Sequence, residues 1–240
     1  MRAIALLGRH WPELGPLALV ELEDGGALAL SRGAKPKTYA HKDPNEDAAL
    51  LVRLPVGVLL AIADGFNGFD AAELVIERAR AGAERFVSSS GAAFCGHVRD
   101  LLDDVRARLP RASESRACLV LAALRGTRCE LASFGDAFAF RSGSPLPLVP
   151  QNAILVGSEK GAREIDPVRW YRTFERAPGE RVALLSDGVI NFMPDPSEIP
   201  SLLAAGASDL DCARTLALAA LRGGAGDNVA VVAFAGDTGL

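Results

Sequence analysis

Ala63-Asp64-Gly65-Phe66-Asn67-Gly68-Phe69-Asp70 is the stretch that decides the reading of this chain. An Asp-Gly pair ordinarily marks a tight turn, because the aspartate side chain bonds nearby amides and glycine accepts unusual dihedrals. In a hairpin the returning strand comes at once. Here residues 48–53 and 56–63 read as two strands around Pro55, ending at Asp64-Gly65, and the next element is a helix. Between Asp70 and Val87 the apolar residues Ala72, Val75, Ile76, Ala79, Ala83 and Phe86 recur at helical spacing, with Asp70 and Glu73 as a capping box. The pattern places a carboxylate on a rigid strand end, which suits a ligand for Mg²⁺ or Mn²⁺.

Moving outward, the same placement recurs. Glu46-Asp47 precedes the strand at 48–53, Asp187 comes after an apolar strand at 181–185, and Asp227 precedes a last strand at 229–234. Carboxylates crowded together without a cation repel and raise one another's pKa, so their convergence in a fold would call for bound metal. Around them, residues 17–30 read as a hairpin about Glu23-Asp24-Gly25-Gly26, and 97–109 as a helix ended by Pro110. Strands are expected at 116–124, 129–133 and 137–141, and a helical pair late in the chain, capped by Ser208 and Asp211 and stopped by Gly223-Gly224. Runs of closely spaced strands with paired helices predict an α+β architecture, not a doubly wound parallel sheet.

The composition bounds the function. With 49% hydrophobic and 23% charged residues over 240 positions, the chain is expected to form one globular domain, 1–240. Its apolar runs are far shorter than the roughly 20 residues of a membrane span, and the opening residues read as mature protein, so a cytoplasmic location is expected. The net charge of −4 and pI near 5.5 give no footprint for nucleic acid. Cys95, Cys118, Cys129 and Cys212 form no CxxC pair, and none has the Cys-x5-Arg spacing of a cysteine-dependent phosphatase. His10, His41 and His97 form no HExxH, so oxygen ligands must dominate any metal site.

Five short motifs, Asn45-Glu46-Asp47, Ala63-Asp64-Gly65-Phe66-Asn67-Gly68, Gly135-Asp136-Ala137-Phe138, Ser186-Asp187-Gly188 and Gly226-Asp227-Asn228, stand in the order and roughly the spacing of those of metal-dependent type 2C protein phosphatases. Each is weak alone; together they span most of the chain, which thus resembles a compact bacterial member of that family. The resemblance implies a central sandwich of two antiparallel β-sheets flanked by paired α-helices, with two Mn²⁺ or Mg²⁺ ions in a cleft at one end. It implies that Asp64 bridges the two ions, that Asp187 and Asp227 complete the first, and that the Gly65 carbonyl, Glu46 and waters serve the second, with Asp47 orienting waters or ligands. Asp136 would join Asp187 at the third, weaker metal site of many relatives. The implied activity is hydrolysis of phosphoserine and phosphothreonine in a phosphoprotein substrate, opposing a Ser/Thr kinase, by a water that two ions activate.

The sequence also departs from the pattern. Lys42 stands where an arginine commonly grips the substrate phosphate; it keeps the charge and gives up the bidentate fork, with Arg32 or Lys37 available to assist. Phe66 replaces a histidine that, in some relatives, protonates the leaving group. Phe138 and Asn191 replace residues that support the third metal, and the interval from Asp136 to Asp187 implies a shortened flap. These departures keep open a second reading, a weak or inactive pseudo-phosphatase acting as a regulatory protein-binding module.

Overall fold

The computed structural model describes residues 1–39, 41–158 and 166–236. Its first sheet has strand order β1 (Arg2–Leu7), β4 (Ala48–Leu54), β5 (Gly57–Phe66), β6 (Arg116–Arg125), β7 (Arg128–Phe134), β9 (Tyr171–Glu175). The second has order β2 (Ala18–Glu21), β3 (Ala27–Ser31), β11 (Val229–Phe234), β10 (Val182–Leu185), β8 (Phe138–Arg141). Every strand pairing is antiparallel. Helices α1 (Asp70–Ala81), α2 (Ala83–Ser88) and α3 (Ala92–Arg108) cover the first sheet; α4 (Asp187–Phe192), α5 (Ile199–Ala205) and α6 (Asp209–Arg222) cover the second. The expected α+β sandwich with flanking helices is what the chain adopts.

Side-chain alternation sorts each strand between two cores. On β5, Val58, Leu60 and Ile62 point into the sandwich, where they join Leu28, Leu30, Ala230 and Val232 of the opposite sheet. Leu59, Ala61 and Ala63 point the other way, onto the helices of the first layer. On β11 the sandwich receives Ala230, Val232 and Phe234, and the outer helices receive Val229, Val231 and Ala233. Both faces of each sheet are therefore apolar. That is why the central strands read in the sequence as unbroken hydrophobic runs.

The structure corrects several boundaries. β5 continues through Phe66, so Asp64 and Gly65 lie inside the strand and pair with Cys118 and Ala117 of β6. The helix expected over 70–87 divides at Gly82, and the one expected from 97 begins at Ala92. The Asp70–Glu73 capping box does not form: the α1 N-cap is Phe69 and has no side-chain cap, Ser115 Oγ accepts from the Ala71 amide at 3.0 Å, and Glu73 turns to Arg9 at 3.1 Å. The Ser208 cap does form, its Oγ accepting from Asp211 N at 3.0 Å. β1 and β9 were not foreseen; both are edge strands with half-exposed side chains and so carry little hydrophobic pattern. No helix among the described residues is long and apolar enough to cross a membrane. The shortened-flap expectation falls partly on 159–165, outside the described residues.

Candidate metal centre

All the acidic motifs arrive at one end of the sandwich because strands that meet there begin or end in them. β5 carries Asp64 out on the parity of Ile62, toward the space between the sheets. Asp47 immediately precedes β4, Asp136 lies between β7 and β8, Asp187 opens α4 after β10, and Asp227 precedes β11. Asp64, Asp136, Asp187 and Asp227 line one cavity of about 380 Å³, with Tyr39, Gly65, Phe66, Cys118, Leu155 and Asn191.

Two glycines set how closely these segments approach. A Cβ on Gly65 would lie 2.3 Å from the Glu46 carbonyl oxygen, and one on Gly188 would lie 1.9 Å from that of Asn228. Neither adopts a positive φ. The Asp-Gly pairs are therefore not turn pairs at all: each glycine removes the methylene that would hold Asp64 away from Glu46-Asp47, or Asp187 away from Asp227-Asn228. Asn228 locks the same junction. Its Oδ1 accepts from Glu46 N at 2.9 Å, and its Nδ2 donates to the carbonyls of Arg32 at 3.1 Å and Pro44 at 3.0 Å.

The carboxylates fall into three conditions. Glu46 is buried and engaged at both oxygens: Oε1 accepts from the amides of Gly68 at 2.5 Å, Lys42 at 3.3 Å and Asp43 at 3.3 Å, while Oε2 meets the Lys37 ammonium at 3.2 Å. Asp227 is partly engaged, its Oδ1 accepting from Tyr39 Oη at 2.5 Å and Asn228 N at 2.7 Å and lying 3.3 Å from Lys37 Nζ. Asp47 is buried with neither carboxylate oxygen in hydrogen-bonding geometry with any donor. An unpartnered buried carboxylate is costly and asks for a missing partner.

Electrostatics point the same way. Burial pushes the Asp47 carboxyl up to about 7, helped by Asp227 and Asp187 and opposed by Lys37 and the nearby Ser186 hydroxyl. Burial, then Asp227 and Asp136, raises Asp187 to about 6. Asp64 is driven well above the ordinary carboxylate range by burial and by the charges of Asp47, Asp187, Asp227 and Asp136. Burial alone would lower the Lys37 pKa, yet the fields of Asp227, Asp47, Glu46 and Asp64 outweigh it and hold the ammonium charged. Among the described residues no group of three or more histidine, cysteine, aspartate or glutamate side chains is arranged so that it could hold a metal ion as it stands. The all-oxygen donors and their uncompensated charge nonetheless fit a hard divalent cation.

The remaining residues singled out from the sequence lie around this set. Lys42 is exposed and does not line the cavity; it lies over Gly68, its Nζ 3.8 Å from where a Cβ there would sit. Asp136 Oδ1 accepts from the Cys118 thiol at 2.8 Å, and Asn191 Nδ2 donates to Asp187 Oδ2 at 2.9 Å. Burial, then Asp64 and Asp136, raises the Cys118 pKa, so it is a neutral donor and not a nucleophile. Tyr39 and the burial of Lys37 were not foreseen.

No family model and no curated protein matches the sequence. Solved structures do. The catalytic domain of the serine/threonine phosphatase PstP, in complex with two manganese ions, superposes with a TM-score of 0.67 at 23% identity, over 92% of this chain and 100% of that one. The chain has the type 2C phosphatase fold. The same fold relates it to the PPM Ser-Thr phosphatase MsPP of Mycobacterium smegmatis (TM-score 0.64, 20% identity, 90% of this chain and 99% of the other). It likewise relates it to PppA, a key regulatory component of T6SS in Pseudomonas aeruginosa (0.67, 21%, 87% and 95%). In this chain the acidic cavity lies at one end of the sandwich.

Proposed function

We propose that this chain is a metal-dependent phosphatase that hydrolyses phosphoserine or phosphothreonine in proteins. The observation that carries the reading is the meeting of Asp64, Asp136, Asp187 and Asp227 around one cavity, with Asp47 buried and unpartnered. Asp64, Asp187 and Asp227 would hold Mn²⁺ or Mg²⁺, with the Gly65 carbonyl beside them, and Asp47 would orient a bound water. A divalent ion held there would lower the pKa of a water and neutralise phosphoryl charge. Asp136 already accepts from the Cys118 thiol and Asn191 already donates to Asp187, so a third ion would be weakly held.

The chain's own residues do the positioning. Tyr39 and Asn228 fix the rotamer of Asp227 through Oδ1 and leave its second oxygen for the cavity. Phe66, 47% exposed on the cavity wall, can neither give nor take a proton, so the leaving-group proton must come from water. Lys42, lying over Gly68 just beyond Phe66, would draw in the phosphate as a point charge. A phosphoprotein and the Ser/Thr kinase that modified it are the partners this reading implies, in the cytoplasm.

The occupied Oδ1 of Asp227 favours a second reading, a regulatory binding module with little activity; PppA, of the same fold, is named for a regulatory role. Hydrolysis of p-nitrophenyl phosphate and of a phosphothreonine peptide, with Mn²⁺, Mg²⁺ or chelator, separates the two. Metal-dependent turnover that falls at least about 100-fold in Asp64→Asn is expected. Turnover indifferent to chelator and to that substitution would overturn the phosphatase reading.

A further inference from the structure

The segment 35–39 delivers a lysine into the acidic centre. The Lys37 side chain is 2% exposed, and its Nζ joins Glu46 Oε2 at 3.2 Å to Asp227 Oδ1 at 3.3 Å. These two carboxylates come from different sheets, Glu46 ahead of β4 and Asp227 ahead of β11, and the sequence resemblance gives them to different metal ions. The ammonium therefore bridges the two ligand groups where positive charge is required. Glu46 is heavily engaged: three amides crowd Oε1, and Lys37 stands on Oε2, the oxygen that would otherwise face an ion. Glu46 does not line the cavity, whereas Asp64, Asp187 and Asp227 do.

Resting on the metal-dependent reading above, we propose that Lys37 is a built-in cation that takes the place of one of the two divalent ions, so that the centre loads a single exchangeable ion, on Asp64, Asp187 and the second oxygen of Asp227. A lysine carries one charge where a divalent ion carries two, so the exchange leaves the centre more negative. Asp47, buried without a donor, is the group left exposed to that deficit. The covalent tether makes this cation independent of metal supply. It holds the two sheets together at the mouth even in chelator.

The test counts ions and does not rely on turnover. Calorimetric titration of the full chain with Mn²⁺ is expected to give one ion per chain for the wild type and one more for Lys37→Gln, with circular dichroism confirming that the variant is folded. Equal counts in the two proteins, or two ions in the wild type, would overturn the proposal. If Lys37→Gln does not fold, electron paramagnetic resonance of the Mn²⁺-loaded wild type decides alone: the hyperfine-split signal of isolated ions sustains a single site, and an exchange-coupled pair refutes it. Failure of the phosphatase reading looks different, since absent hydrolysis leaves the difference in ion count untouched.

Discussion

Arg181 and Lys37 are both buried cations, set at opposite ends of the second sheet, and their surroundings differ in how far charge is balanced. At the end where β10 starts and β11 finishes, Arg181 Nε meets Asp209 Oδ1 at 2.8 Å and its Nη1 donates to the carbonyls of Leu203 and Gly206. Asp209 Oδ2 accepts from the amides of Gly26 at 2.8 Å and Ala235 at 3.2 Å. One positive charge faces one negative, and each has polar neighbours besides. At the other end the single ammonium of Lys37 faces Glu46 and the fields of Asp227, Asp47 and Asp64, with Asp187 and Asp136 beyond. A balanced buried pair serves structure; an unbalanced cluster stays strained until a ligand arrives.

The comparison is easiest to break at the balanced end. Arg181→Met leaves Asp209 buried without its counter-charge, and removing one partner of such a pair costs about 3–5 kcal/mol. Urea unfolding should show that loss in chelator and in Mn²⁺ alike, because the site lies far from the acidic cavity along the strands. A loss below about 1 kcal/mol would mean that Arg181 and Asp209 are less tightly coupled than their geometry implies.

The unbalanced end predicts the opposite kind of response, one that depends on solution conditions. The carboxyls of Asp47, about 7, and Asp187, about 6, keep their protons in the folded chain to higher pH than the same groups do unfolded. Between about pH 4 and pH 7 the folded chain thus binds more protons, unfolding releases them, and stability falls as pH rises. In chelator the fall should amount to several kcal/mol. Mn²⁺ at about a hundredfold over its dissociation constant should restore about 2.7 kcal/mol at neutral pH. Stability that is flat or rising across that window in chelator would sink this account of the centre.

How much of this contrast could be read from the sequence differs between its two halves. The strands carrying Asp47, Asp64, Asp187 and Asp227 were legible because they are buried on both faces and therefore appear as plain apolar runs. β1 and β9 were not, since an edge strand with half-exposed side chains has no such run. Asp64-Gly65 was legible as unusual but not for the right reason, and Gly188 was not singled out: each glycine makes room for a carbonyl from a distant segment. The burial of Lys37 left no mark either. A lysine between Pro36 and Thr38 in a polar loop looks solvated until the fold brings Glu46 and Asp227 around it.

Lys42 sharpens that last point, because it and Lys37 are neighbouring loop lysines with opposite fates. Lys42 is exposed beside Gly68, makes no ion pair of 4.0 Å or less among those found for the described residues, and is hydrated before any substrate arrives. Its removal should cost within about 0.5 kcal/mol of stability. If it attracts phosphate, Lys42→Ala should raise KM several-fold, within about 1 kcal/mol, with kcat unchanged, since a point charge at the edge binds substrate and transition state alike. The effect should shrink between low salt and about 0.5 M salt, where screening shortens the reach of an exposed charge. A fall in kcat instead, insensitive to salt, would mean that Lys42 reaches the reacting phosphate in the complex and takes the gripping role that its exposed position in the free chain argues against.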